Sequence, residues 1–126
     1  MSEINKENME VTSTGDLWYD LVPSTNIVGA SMKYRKLSDQ NKLEIYINGS
    51  NDTEISGSIN AGRLPVGFRP SEWQLIFGII NLTASGQNIT KIQILNIGDD
   101  GYISFSGGHT GSYVINSFVF YGVINL

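Results

Sequence analysis

The chain has 126 residues, enough for one domain with a buried core, and 40% of them are hydrophobic. Only 16% are charged and the net charge is −4, which argues against nucleic acid, because phosphate binding needs clustered Lys and Arg. The absence of cysteine excludes a disulfide framework, a thiolate metal site and a cysteine nucleophile.

Residues 1–14 are polar and charged without apolar periodicity, and read as a flexible lead or a short edge strand. They contain no apolar signal core. No apolar run in the chain approaches the roughly 20 residues of a membrane helix. The expectation is a soluble protein without a standard signal peptide and without membrane insertion. Residues 15–126 read as one domain.

From "DLWYDL" onward the period is two. In residues 27–38, Met32 and Tyr34 alternate with Lys33 and Arg35, so the one basic cluster is the outward face of a strand. "SDQN" is a turn. In residues 42–49, Leu43, Ile45 and Ile47 share one face and Glu44, Tyr46 and Asn48 the other, which predicts an antiparallel hairpin. "SNDTE" is a further turn and "ISGSIN" a short strand. "EWQLIFGIINL" (residues 72–82) is nearly all apolar, so it is expected to be buried on both faces. "TASGQN" is a turn before the strand "ITKIQILNI"; "GDDG" is a turn before the strand "YISFS". After the glycine-rich loop "GGHTG", the chain closes on a long aromatic strand. Tyr113, Ile115, Val119 and Tyr121 are expected on one face of it and Val114, Phe118 and Phe120 on the other. With large apolar groups on both faces, this strand is expected to meet the core on one side and a partner sheet or another subunit on the other. About eight strands and no helical pattern give an all-β fold, an antiparallel β-sandwich or jelly roll.

Catalytic signatures are missing. His109 is the lone histidine and no GxSxG is present. His109 reads as plain surface or, in a loop, as a ligand contact. Asp99 and Asp100 in "GDDG" could face a cation, but two carboxylates are few. A turn explains them, with Asp100-Gly101 in the φ > 0 conformation of type I′. The same reading applies to Asn51, Asp52 and Glu54. No metal, no cofactor and no enzymatic activity are expected. Trp18 is expected in the core, whereas Trp73, after a loop, is open to either core packing or sugar stacking.

"GRLPVGFRP" (residues 62–70) reads as a corner. Pro65 and Pro70 cannot sit in a central strand, and Gly67 can take φ > 0. Leu64, Val66 and Phe68 should tuck the corner against the body. A phosphate loop needs GxxxxGK before a helix, and here a strand follows. At least one of Arg63 and Arg69 is expected to pair with a carboxylate, within the chain or across subunits.

This corner, with Trp18 and Leu21 upstream, Ile92, Ile94, Asp100, Gly101, Ile103 and Phe105 downstream, and the closing "SFVFYGVI", resembles the C-terminal head domains of phage receptor-binding, tail-fibre and baseplate proteins. The likeness is nearest to phages of Gram-positive bacteria, including lactococcal types, and runs from Leu17 to the C-terminus. The resemblance implies a homotrimeric jelly-roll-like head at the virion tail tip, a binder of host cell-wall polysaccharide or teichoic acid that also contacts other tail or baseplate proteins. Full-length proteins of this type carry an anchoring domain and a neck, which these residues do not show. The chain is therefore expected to be an excised head or a short separate tip protein. By residue type and loop position, the saccharide-binding candidates are Arg63, Trp73, Asp99, His109 and Tyr113. The alternatives are a structural virion protein without a sugar site, and a trimeric lectin or tumour-necrosis-factor-like cellular ligand.

Overall fold

Alternating β-branched and aromatic residues, punctuated by glycine-bearing turns, produce eight strands in the computed structural model, which describes residues 17–24, 27–51 and 53–126. The proposed N-terminal lead, residues 1–14, lies outside the described residues. The strands are β1 (Tyr19–Asp20), β2 (Val28–Leu37), β3 (Lys42–Ser50), β4 (Ser58–Arg63), β5 (Gln74–Ala84), β6 (Gln87–Ile97), β7 (Tyr102–Ser106) and β8 (Val114–Asn125). A 3-10 turn, Ser38–Gln40, joins β2 to β3. All pairings are antiparallel, in the order β1-β2-β3-β8-β5-β6-β7-β4. The expected all-β antiparallel class is therefore observed. Its two facing halves belong to one continuous sheet that curls into a half-barrel, a β-sandwich-like domain.

Curling brings the two edges of the sheet together. Pro23, just after β1, bridges Gly62 in β4, and Ser24 N donates to Ala61 O at 3.0 Å. A Cβ on Gly62 would stand 3.0 Å from Val22 O, so a side chain there would push the seam apart by a few tenths of an ångström. The inward side chains fill the concave side. Phe105 lies 4.9 Å from Phe118 and 5.1 Å from Phe120, ring centre to ring centre, among fully buried Leu43, Ile45, Ile47, Ile80 and Leu95. Such tilted aromatic pairs add about 0.5–1.5 kcal/mol each beyond their buried area.

Two hairpins show how local sequence sets register. Ser85 and Gly86 both have positive φ (51° and 77°), the type I′ geometry whose twist matches the flanking strands. At Gly98–Gly101 the expected type I′ turn is not formed. Gly101 N donates to Gly98 O at 2.9 Å and only Gly101 has positive φ (89°), which makes a type I turn followed by a bulged glycine. Asp100 Oδ1 accepts from Tyr102 N at 3.1 Å, so this carboxylate serves the turn. Asn51 Oδ1 likewise accepts from Thr53 N at 2.8 Å, a local side-chain turn in "SNDTE".

The corner begins at Leu64, which is fully buried. Phe68 N donates to Pro65 O at 3.1 Å with Gly67 at φ 98°, a type II turn. Phe68 packs edge-on against Tyr34 (5.0 Å) and Tyr19 (5.4 Å). Val66 departs from expectation: it occupies the outward position of the turn and is 82% exposed. Trp18 also departs. It sits at the exposed sheet margin with the Arg35 guanidinium 4.6 Å from its ring centre. Among the described residues, neither corner arginine meets a carboxylate. Arg69 Nε donates to Leu64 O at 2.8 Å and Arg63 Nε to Asp100 O at 3.0 Å.

Two strands differ from their predicted burial. On β8, Asn81 pairs with Ser117 but Leu82 with Ile115, so Asn116 is an extra, bulged residue. The bulge resets the alternation. Ile115, Phe118 and Phe120 all point inward, while Val119, Tyr121 and Val123 point outward. On β5, Phe77 and Ile79 are exposed rather than buried, because no second layer of the described residues covers the convex side of the sheet.

Candidate functional site

The seam between the two sheet edges carries an open groove of about 530 Å³. Its floor and walls come from β4, the start of β7, the segment before β4 and the connection after β1. Strand alternation sends Ser58 and Asn60 outward and Ile59 and Ala61 inward. Strict alternation would then bury Arg63. A bulge between Asn60 and Gly62 prevents this, since Ala61 and Gly62 are both buried and Arg63 re-emerges on the outer surface. Asn60 fixes the bulge by accepting from Gly62 N at 3.1 Å through its own Oδ1.

Arg63 pairs across the ladder with Tyr102, and its guanidinium carbon lies 4.3 Å from the Tyr102 ring centre. With Nε donating to Asp100 O, the guanidinium plane is held on the ring by two restraints. Its remaining N–H groups stand at the groove wall as donors, and the outward edge of Tyr102 supplies an aromatic surface. Ser24, Ser56 and Ser58 line the opposite parts of the groove, with Val22 and Ile55 adding apolar contact. The result is a shallow, solvent-open site: one fixed cation stacked on an aromatic ring, an amide and three hydroxyls. Among the described residues, no group of three His, Asp or Glu side chains comes together to hold a metal ion.

Of the five candidate residues, Arg63 alone lines this groove. Asp99 is exposed in the turn whose Asp100 carbonyl holds Arg63, next to the site but outside its lining. Trp73 is exposed on the connection leading into β5. His109 lies half-buried in the loop between β7 and β8, its ring edge-on to Tyr113 at 6.4 Å. Tyr113 is 1% exposed, and its hydroxyl donates to Gly57 O and accepts from Gly107 N at 2.8 Å. Tyr113 therefore presents no surface to a ligand. It acts behind the groove, pinning the Gly57 backbone between the two lining residues Ser56 and Ser58. Sequence reading missed Asn60, Ser58 and Tyr102. Their signal was present in the polar–apolar alternation of "SINA" and of "YISF", each of which sends these side chains outward.

A second polar cluster lies on the outer face of the sheet. Arg35 Nε donates to Glu44 Oε1 at 2.6 Å, and the Tyr121 hydroxyl donates to Glu44 Oε2. Glu44 is only 8% exposed. Burial pushes its carboxyl up, but the hydrogen bonds from Tyr121 and Arg35, with the Arg35 charge, outweigh this and hold it below the ordinary carboxylate range. The Tyr121 hydroxyl is raised by its hydrogen bond to Glu44, then by burial and the Glu44 charge. This cluster is saturated with partners and serves the sheet.

Comparison with protein-family models and with curated proteins finds no match to the chain. No helix among the described residues is long and apolar enough to cross a membrane.

Proposed function

We propose that the chain is the head of a phage tail-tip receptor-binding protein, from a baseplate or tail fibre. It takes a host cell-surface saccharide in the seam groove and assembles as a homotrimer at the virion tip. The observation that carries the binding part is the Arg63–Tyr102 pair, stacked at 4.3 Å beside Asn60 and three serines. A shallow site of aromatic surface, amide, hydroxyls and one cation matches the apolar face and hydroxyl rim of a sugar. The cation favours glycans bearing phosphate or carboxylate, such as wall polysaccharides and teichoic acids. The phage assignment rests on the resemblance carried by the Leu64–Pro70 corner and its flanking strands.

The test is binding of purified cell-wall polysaccharide and teichoic acid from Gram-positive cells, by calorimetry and by adsorption of the labelled protein to whole cells. Arg63→Ala and Tyr102→Ala should each weaken binding about tenfold or more, equivalent to about 1.4 kcal/mol, while the fold is retained. Full binding by both variants would remove the groove from the reading, and no binding by the unaltered protein would remove the function. A structural tail protein without a sugar site is the second reading, favoured by the uncovered apolar sheet face. It predicts assembly without cell adsorption.

A further inference from the structure

The outer face of the sheet bears a continuous apolar band. Val119 on β8 pairs with Ile79 on β5, which pairs with Ile92 on β6. One pleat along, Phe77 pairs with Ile94, and Tyr121 lies beside Phe77 on β8. Val123 extends the band to the edge of Glu44 on β3. These side chains are exposed by amounts from 38% at Ile94 to 73% at Ile92. With roughly 150–250 Å² for a whole aromatic side chain and less for an aliphatic one, the exposed apolar area is on the order of 700 Å². The largest patch on an ordinary monomer is ~300–600 Å². A standard interface buries about 800 Å² per partner, a little over half of it non-polar. The band alone thus meets the apolar requirement of a stable interface.

Its chemistry favours a like partner. The band contains no charged residue. At its margin, Glu44 is neutralised by Arg35 at 2.6 Å, and Tyr121 and Tyr46 give a polar aromatic rim. Asp39, Glu54, Glu72, Asp99 and Asp100 all lie in turns and connections rather than on the strands that carry the band. Of the outward positions on β3, β5, β6 and β8, Glu44 alone carries a carboxylate, and it is paired with Arg35, so two copies meeting on these strands juxtapose no unpaired carboxylates. At the two ends of the sheet, β1 is two residues long and β4 is bridged at Gly62 by Pro23, so neither end strand presents a long free edge.

We propose that the outer face of β6-β5-β8-β3, centred on Ile79, is the contact through which copies of this chain assemble. This names the surface for the assembly in the functional reading and does not depend on the saccharide groove.

The experiment is light scattering after size exclusion, at tens of micromolar chain, on the unaltered protein and on Ile79→Glu and Phe77→Glu, with Val66→Glu as an exposed control off the band. The unaltered protein and the control should run as multimers. The band variants should run as folded single chains, with the dissociation constant raised at least ~30-fold, as for a hot-spot side chain. A second measurement does not require the charged variants to fold. The chain has no cysteine, so Ile79→Cys and Val66→Cys each carry one thiol. Maleimide should label Val66→Cys fast and Ile79→Cys at least tenfold more slowly. A single-chain mass for the unaltered protein, a persistent multimer in folded Ile79→Glu, or equal labelling of the two thiols overturns the inference. No saccharide binding by the unaltered protein, with assembly through Ile79 intact, would refute the saccharide function and leave this face standing.

Discussion

Replacing Tyr113 with phenylalanine separates a residue that holds the fold from one that touches ligand. The ring is retained, so its packing against Gly107 and His109 changes little. Only the hydroxyl goes, and with it the donation to Gly57 O and the 2.8 Å bond from Gly107 N. Gly57 is exposed and its carbonyl can turn to water, so its loss costs about 1 kcal/mol as an ordinary hydrogen bond. Gly107 is buried, and its stranded N–H adds about 1–3 kcal/mol. About 2–4 kcal/mol in all is expected. With an unfolding entropy of roughly 2.1 cal/mol/K per residue, this lowers Tm by ~8–15 °C. Thermal unfolding followed by circular dichroism reads the shift. Saccharide affinity, measured well below Tm, should fall less than about threefold, because the hydroxyl positions Gly57 from behind rather than meeting the sugar. An unchanged Tm with a tenfold loss of affinity would refute this reasoning and return Tyr113 to the ligand surface.

Glu44 makes stability depend on pH on the acid side. Its carboxyl is held below the ordinary range, so its contribution is complete above the unfolded carboxylate pKa and is lost as pH falls through the lowered folded value. Glu44→Gln should flatten the acid limb of a plot of Tm against pH. Tyr121 is raised, so its contribution is complete below the ordinary phenol pKa and is lost as pH rises through the folded value. Tyr121→Phe should flatten the alkaline limb and cost about 1.5 kcal/mol at neutral pH, the lower end for a bond to a charged group. Gly78→Ala would drive a Cβ into the Val119 carbonyl and the Phe120 ring. Overpacking of this kind costs about 1–3 kcal/mol, and an unaltered Tm would contradict the close approach of β5 and β8. Arg69→Ala frees the Leu64 carbonyl and should lower stability by about 1 kcal/mol, with saccharide affinity unchanged. A selective loss of affinity would place the corner in the binding site.

The strands were legible because alternation is a local property. Met32 and Tyr34 against Lys33 and Arg35, or Leu43, Ile45 and Ile47 against Glu44, state which side faces the core without reference to the rest of the fold. Bulges break that inference. Asn116 inserts one residue into β8, so Ile115 and Phe118 share a side that strict alternation divides between two. The bulge at Ala61-Gly62 does the same to Arg63, and only the small size of both residues marked the place. Phe77 and Ile79 misled for a different reason. Apolar composition reports that a side chain is suited to burial, and a single curled sheet leaves its convex side without a second described strand layer. The groove was least legible of all, because it is built from residues 22–24, 55–63 and 102, which only the closing of the sheet brings together.

That closing also fixes how the groove and the apolar band stand to one another. In the order β1-β2-β3-β8-β5-β6-β7-β4, the seam joins the two ends, while β8 and β5 occupy the middle. On a sheet that curls until its ends meet, the middle strands lie on the side away from the seam. The groove and the band therefore point in opposite directions. Copies packed through the band would turn every groove outward, unobstructed by the contact. One bulge that returns Arg63 to the surface, and one strand order that sets the seam against the middle of the sheet, give the groove a fixed cation and keep it clear of the contact proposed to join the chains.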